Sequence, residues 1–181
     1  MKRIPFLILT VLVLVSCSTK HWITIDEAFV KLNELNREGE IAILTLDTRG
    51  NMIPNYLGDY FSSRLSENLF AKLRFNVKDR SLVRFVEEKY KIEDAKKMDQ
   101  ELLTTIFNEL KIKYLLVGEI EQFDDPSIME IKSLRITINI RMIDDNGKVK
   151  GTANIIGRNK GFFQSFIDES INQIIVKMSS K

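Results

Sequence analysis

The chain has 181 residues, with 27 Lys or Arg, 25 Asp or Glu, one histidine and one cysteine. The lone histidine, His21, lies four residues from the lone cysteine, Cys17. This argues against a Ser-His-Asp triad, a Cys-His pair or a histidine-ligated metal site in the folded domain. One cysteine cannot form an internal disulfide, and neither of the common glycine-rich phosphate loops occurs. No catalytic residue, metal ligand or cofactor is therefore predicted.

Residues 1–16 are predicted to be the signal peptide of a bacterial lipoprotein. A basic start is followed by an apolar run from Ile4 to Val15, about half of the roughly 20 residues that a spanning helix needs. The run ends in Leu14-Val15-Ser16-Cys17, which has the form of a lipobox. We therefore expect cleavage before Cys17 and lipid modification of its thiol. The alternative is an ordinary secretory signal in which this cysteine is incidental.

The expected mature protein is held close to its membrane. Residues 17–23 are the lipidated N-terminus and a short tether, and the six tether residues from Ser18 to Ile23 reach at most about 20 Å. Two of the 27 basic residues, Lys2 and Arg3, fall in the leader, which leaves 25 against 25 acidic residues. This balance gives no reason to propose nucleic acid as a partner. Ser18 and Thr19 lack the aspartate that retains lipoproteins in the inner membrane of enteric bacteria, so we expect the outer membrane, facing the periplasm, with the inner membrane as the alternative.

Residues 24–181 are predicted to form one domain. Thr24-Ile25-Asp26-Glu27 matches a capping box, which predicts a first helix that ends at Gly39. The segment from Ile41 to Leu46 is apolar on both faces, as in a buried central strand. The segment from Asp47 to Ile53 is predicted to be a polar loop.

Three helices are predicted in the middle of the chain. Pro54 begins the first, and Ser81 is predicted to cap the second, which runs to about Tyr90. A short strand, Phe75 to Val77, lies between them. The apolar stripe of the first helix is Leu57, Phe61, Leu65 and Leu69, and that of the third is Met98, Leu102, Ile106 and Leu110.

Three strands and a helix complete the domain. Tyr114 to Ile120 is predicted to be a second central strand. From Ile131, polar residues alternate with apolar ones, which predicts a strand with one face in the core. Asn146-Gly147 predicts a hairpin turn to a partner strand, Val149 to Arg158, and a closing helix runs from Phe163 to Met178. The alternating polar residues are Arg135, Thr137, Asn139 and Arg141. The fold class is α/β: a single-domain sandwich, a mixed sheet with a C-terminal antiparallel meander and helices on its faces.

Acidic residues are the remaining candidates for chemistry. Asp124-Asp125 and Asp144-Asp145 could hold a cation or serve as paired carboxylates, but predicted turns favour Asp for its local hydrogen bonds. Glu119 interrupts an apolar strand, and a buried carboxylate needs a partner. Arg80, at a strand-to-helix corner, is the predicted partner in a structural ion pair. The run Glu87-Glu88-Lys89 is expected on a solvated helix face.

Several short motifs follow one another over about residues 40–158. They are Ile41-Ala42-Ile43-Leu44, Tyr56-Leu57-Gly58-Asp59, Arg74 to Leu82, Leu116 to Ile120 and Asn146 to Val149. Behind a lipobox, this order resembles the CsgG-like periplasmic domain of curli-type secretion-channel lipoproteins. Related domains occur in LpoB-type activators of penicillin-binding proteins, in FlgO-type flagellar lipoproteins and at the N-terminus of TolB.

The resemblance implies a non-enzymatic lipoprotein that binds partners or assembles into rings. Two departures limit it. The connections Asp47–Ile53 and Gln122–Glu130 are too short for barrel-forming hairpins, and residues 17–23 are far shorter than the tethers of synthase activators. We therefore expect an adaptor or assembly factor with an envelope protein as partner, serving secretion, motility or cell-wall machinery. The alternative is a homo-oligomeric ring subunit of a CsgG-like channel whose barrel comes from a partner. A hydrolase that uses carboxylates alone is the third hypothesis.

Overall fold

The computed structural model describes residues 23–32, 39–50, 53–92, 95–123, 134–160 and 162–180. The predicted signal peptide, Cys17, His21 and the Asp124-Asp125 pair lie outside these residues. The predictions made for them stay predictions.

A six-stranded mixed sheet forms the centre of the described chain. The strands are β1 Ile23–Leu32, β2 Ile41–Ile43, β3 Asp47–Arg49, β4 Tyr114–Phe123, β5 Leu134–Ile143 and β6 Val149–Asn159. Their order is β1-β6-β5-β4-β2, and β3 pairs with β4 further along the edge that β2 occupies. Both β2 and β3 run parallel to β4, whereas β4, β5, β6 and β1 are antiparallel neighbours. The predicted mixed sheet with a C-terminal meander is confirmed.

Within these residues, four helices flank the sheet. They are α1 Tyr56–Leu73, α2 Arg80–Tyr90, α3 Gln100–Leu110 and α4 Phe163–Ser179. Helices α1 and α4 pack on one face of the sheet, and α2 and α3 pack on the other. The predicted stripe of α1 is confirmed, because Leu57, Phe61, Leu65 and Leu69 are each at most 1% exposed. None of the helices in the described ranges combines the length and apolar character that crossing a bilayer requires.

The first predicted helix is wrong, because Ile23–Leu32 form strand β1. Pairing with β6 along the whole segment outweighs the local capping signals of Thr24 and Glu27. The register shifts at Asp26, between Ile25 and Glu27, which marks a bulge. On either side of the bulge the side chains alternate as a strand requires. The side chains that point toward helices α1 and α4 are Ile23, Ile25, Ala28 and Val30.

Three smaller predictions are also corrected. The predicted polar loop contains β3, whose polar side chains gave no strand signal although the segment pairs with β4. The predicted strand at Phe75–Val77 is reduced to one bridge between Val77 and Ile41. Helix α2 is capped by Asp79 rather than Ser81, because the Ser81 amide donates to Asp79 Oδ1 at 2.7 Å.

A close approach of α1 to the segment between β2 and β3 holds that edge of the sheet in place. A Cβ atom on Gly58 would lie 1.9 Å from the Leu46 carbonyl oxygen, so only glycine fits there. One turn later, the Ser62 hydroxyl donates to the Leu44 carbonyl at 2.8 Å. The break between the two short strands is therefore fixed by α1.

Candidate functional site

One face of the sheet is only half covered by helices. Helices α2 and α3 bury Ala42 and Leu44 of the β2 edge and Leu115 and Val117 of β4. On the same side, most outward residues of β5, β6 and β1 are exposed or half-buried. We call this surface the open face. Its residues are Arg135, Thr137, Asn139, Arg141, Thr152, Asn154, Ile156, Arg158, Thr24, Glu27, Phe29 and Lys31.

The strand register arranges the open face in rows that run across the strands, since directly opposite residues share a face. The two middle rows are Glu119-Asn139-Asn154-Phe29 and Glu121-Thr137-Ile156-Glu27. The two outer rows are Val117-Arg141-Thr152-Lys31 and Phe123-Arg135-Arg158-Thr24. The middle of the open face is therefore neutral or acidic, and its cations lie at the two ends.

In the described part of the chain, some polar side chains of the open face form hydrogen bonds or ion pairs within the chain, and others do not. Asn154 Nδ2 donates to Asn139 Oδ1. Arg158 pairs with Asp26 through both carboxylate oxygens, at 3.1 and 3.0 Å. Within the described residues, by contrast, Arg141 forms no ion pair.

A groove follows the border between the helix layer and the open face. It has a volume of about 200 Å³, and its lining includes Leu103, Val117, Arg141 and Val149. Apolar side chains thus meet an exposed arginine at the point where the helices stop. A partner on the open face would find both kinds of contact there.

The two residues predicted to form an ion pair have different partners. Glu119 is buried in β4, as predicted, and its Oε2 lies 3.5 Å from Arg49 Nη1. Arg80 instead donates from Nη2 to Asp59 Oδ1 at 2.8 Å. The prediction placed Arg80 and Glu119 together, but Arg80 lies at the end of β2, whereas Glu119 is opposite Asp47 of β3, further along β4.

Arg80 is the centre of a polar network that joins β2, α1 and α2. Its Nη1 donates to the Ile43 carbonyl at 2.7 Å, and its Nη2 donates to Thr45 Oγ1 at 2.6 Å. Thr45 in turn donates to Glu87 from both its amide and its hydroxyl. The expectation that Glu87 lies on a solvated helix face is wrong, because its side chain is 12% exposed and belongs to this network.

Asp59 links the network to a second arginine. Arg84 donates to both Asp59 oxygens, with the Nε to Oδ1 distance at 2.9 Å. Burial alone would raise the pKa of Asp59, but the hydrogen bonds and positive charge of Arg84 and Arg80 outweigh it and lower the pKa below its ordinary value. The charged carboxylate therefore ties the first turn of α1 to α2.

The second acidic pair lies in the β5–β6 turn, as predicted. Asp144 accepts hydrogen bonds from the Asn146 and Lys148 amides at 3.1 and 2.8 Å, and Gly147 takes a φ of 74°. Burial alone would raise the pKa of Asp144, but these amides and Lys150 outweigh it and lower the pKa. In the ranges that the structure describes, no three His, Cys, Asp or Glu side chains are grouped so as to hold a metal ion.

Sequence reasoning found part of the open face and missed the rest. The alternation from Arg135 to Arg141 marked the outward side of β5. The misread first helix concealed Glu27, Phe29 and Lys31, although the alternating Ile23 and Ile25 were a usable strand signal. Nothing local in the sequence marks Arg49 as the neighbour of Glu119.

Comparison with known proteins shows a shared fold. No protein-family model matches the chain, and no curated protein matches it. Among solved structures, a PelC dodecamer from Paraburkholderia phytofirmans is 13% identical, with a TM-score of 0.53 over 82% of this chain and 96% of that one. The hypothetical protein CT253 from Chlamydia trachomatis is 16% identical, with a TM-score of 0.51 over 79% of this chain and 97% of that one.

Escherichia coli LpoB, which represents one of the groups named with the sequence resemblance, is 8% identical, with a TM-score of 0.48 over 67% of this chain and 57% of that one. At these identities, the likeness to PelC and CT253 shows the fold alone, and the LpoB likeness is too low to add to it. The assignment to a CsgG-like domain remains a resemblance.

Replacing Asp59 by Asn should destabilise the protein in a pH-dependent way. At neutral pH we expect a loss of about 1 kcal/mol in the free energy of unfolding. Because the folded-state pKa of Asp59 is lowered, its stabilising effect is present above the ordinary value of 3.8 and is lost as the pH falls through the lowered pKa. The difference between wild type and Asp59→Asn should therefore narrow below pH 3.8 in urea unfolding curves.

The matched control is Glu101→Gln, an exposed carboxylate in the first turn of α3. It should change stability by less than about 0.5 kcal/mol. A difference between wild type and Asp59→Asn that stays constant as the pH falls would contradict the proposed role of this carboxylate.

Proposed function

We propose that the chain is a lipid-anchored periplasmic protein that acts as a non-enzymatic adaptor or assembly factor of the bacterial cell envelope. The observation that carries the proposal is the open face. It is a broad surface built on paired strands, and it presents cations such as Arg141 that no described acidic side chain neutralises. A surface of this kind suits a protein partner, because it offers many spaced polar contacts on a rigid support.

The apolar cavity in the core of the described chain is too small for a small-molecule ligand. The apolar cavity between the sheet and the α1–α4 layer holds about 30 Å³, far less than the roughly 300–1,000 Å³ of a ligand pocket. A larger surface groove of about 570 Å³ is lined by Glu40, Asp144 and Lys150 among others. The last two already pair with each other at 3.1 Å.

A ring-forming subunit is the second candidate. The observation that favours it is the shared fold with a protein described as a dodecamer, PelC, over 82% of this chain. In this alternative, the barrel of a CsgG-like channel would come from a partner. Light scattering on the detergent-solubilised chain separates the two candidates, since a closed ring of many copies has a far larger mass than an adaptor.

The lipid anchor is tested by Cys17→Ser in the native host. The wild-type chain should incorporate labelled palmitate and lose its leader, since the thiol is the proposed acylation site. The variant should take up no label and keep its full length in gels, whereas Ser18→Ala should behave as wild type. Equal labelling of wild type and Cys17→Ser would overturn the anchor.

The adaptor role is tested by photo-crosslinking in living cells. A photoreactive residue at Asn139 or Thr152, on the open face, should give discrete adducts with another envelope protein. The same residue at Val176, which is 62% exposed on α4, is the control and should give none. Adducts of the same pattern from both surfaces, or from neither, would argue against the open face as the binding surface.

A further inference from the structure

In the part of the chain that the structure describes, one edge of strand β1 has no neighbouring strand. Within the described chain it pairs with β6 alone, so its other edge presents backbone N–H and C=O groups along a ten-residue strand. The opposite edge is different, because β2 and β3 are three residues each and Val77 bridges to Ile41 there. Of the two sheet edges among the described residues, only the β1 edge is long enough to accept another strand along its length.

Beyond the bulge at Asp26, β1 runs regularly from Glu27 onward. Its outward side chains are Glu27, Phe29 and Lys31, and all three are exposed. Phe29 is a large apolar side chain that is 57% exposed between two charges. An exposed phenylalanine at the centre of an open strand edge is a natural contact point for a second strand.

We propose that two copies of this chain associate through antiparallel pairing of their β1 strands, with Phe29 opposite Phe29 of the second copy. The two sheets then become one continuous sheet, and the two open faces lie on the same side of it. The proposal does not depend on the lipid anchor or on the adaptor role.

Symmetry restricts the register. A two-fold axis perpendicular to the sheet keeps outward side chains outward, and it must therefore place one residue directly opposite its own copy. Centring on Glu27 would oppose two glutamates, and centring on Lys31 would oppose two lysines. Both arrangements are destabilised by repulsion between like charges.

Charge then selects Phe29 as the centre. With Phe29 on the axis, Glu27 of each copy is opposite Lys31 of the other, which gives two cross-strand pairs of opposite charge. Centring on Ala28 would oppose Glu27 to Phe29, and centring on Val30 would oppose Phe29 to Lys31. Of these five centres, only Phe29 places a favourable partner from the second copy opposite each of the three outward side chains.

The other side of the paired strands is also compatible with this register. There Ala28 is opposite Val30 of the second copy, so both contacts are apolar and lie beside the core layer of α4. Bulges and charged residues usually protect an edge strand from indiscriminate pairing. In β1 they limit the pairing to Glu27–Lys31 and to one register.

The register is tested with cysteine variants of the full chain that also carry Cys17→Ser, so that each has one thiol. Phe29→Cys should form a dimer with itself under mild oxidation or with a short bismaleimide. Glu27→Cys alone and Lys31→Cys alone should not, because each thiol lies about 13 Å along the strand from its copy. An equimolar mixture of those two variants should crosslink.

Charge exchange supplies an independent test by light scattering over a concentration series. Glu27→Lys and Lys31→Glu should each raise the dissociation constant of the dimer by about tenfold. The double variant restores opposite charges and should return it to near the wild-type value. Circular dichroism checks that every variant is folded.

Several outcomes would overturn the proposal. One is an absence of crosslinking by Phe29→Cys at concentrations where the wild type is dimeric, and another is self-crosslinking of Lys31→Cys that is as efficient as crosslinking of the mixture. A wild-type chain that stays monomeric at every concentration would also overturn it. A ring of many copies whose mass is unchanged by the charge variants would place the contact elsewhere.

Discussion

Helices cover one face of the sheet and only part of the other, and this difference determines which surface of the chain is available to a partner. On one face, α1 and α4 bury side chains from every long strand. On the other, α2 is fixed over the β2 edge because Arg80 binds the Ile43 carbonyl and Glu87 binds Thr45. Helix α3 packs beside it over β4 and the Ile143 end of β5. The remaining strands must therefore carry polar side chains outward, and those side chains form the open face.

Glu119 marks the border between the two halves of that face. Its neighbours toward the covered side are apolar, whereas the residue opposite it, Asn139, is polar and half-buried. The Glu119 carboxylate is 4% exposed, yet its Oε2 lies 3.5 Å from Nη1 of the exposed Arg49. The strand can thus change from core to surface character without leaving a buried charge isolated.

Local signals identified the four described helices and β4, whereas the predicted central strand from Ile41 to Leu46 contains only the three-residue edge strand β2. Apolar residues four apart identified α1 and α3, and Asn146-Gly147 identified the β5–β6 hairpin, because these patterns depend on neighbours in the chain. Strand β1 depends on pairing with β6, whose residues lie 119 to 136 positions away in the chain, so a local capping signature gave the wrong structure.

The candidate site shows the same division. Arg80 and Glu119 were recognised as polar residues that need partners, but the partners themselves come from distant segments. Asp59 is 21 positions from Arg80, and Thr45 is 42 positions from Glu87. A sequence pattern can indicate that a buried charge must be satisfied, but which side chain satisfies it depends on how the helices settle on the sheet.

Occupancy of the open face is tested most directly by arginine-specific labelling with phenylglyoxal, in the purified protein and in intact envelopes. Arg135 and Arg141 are exposed on the open face, and Arg74, exposed at the end of α1, is the reference. If a partner covers the open face, Arg135 and Arg141 should react readily in the purified chain and be protected in envelopes, with Arg74 unchanged. Equal labelling of all three arginines in both samples would contradict the role proposed for this face.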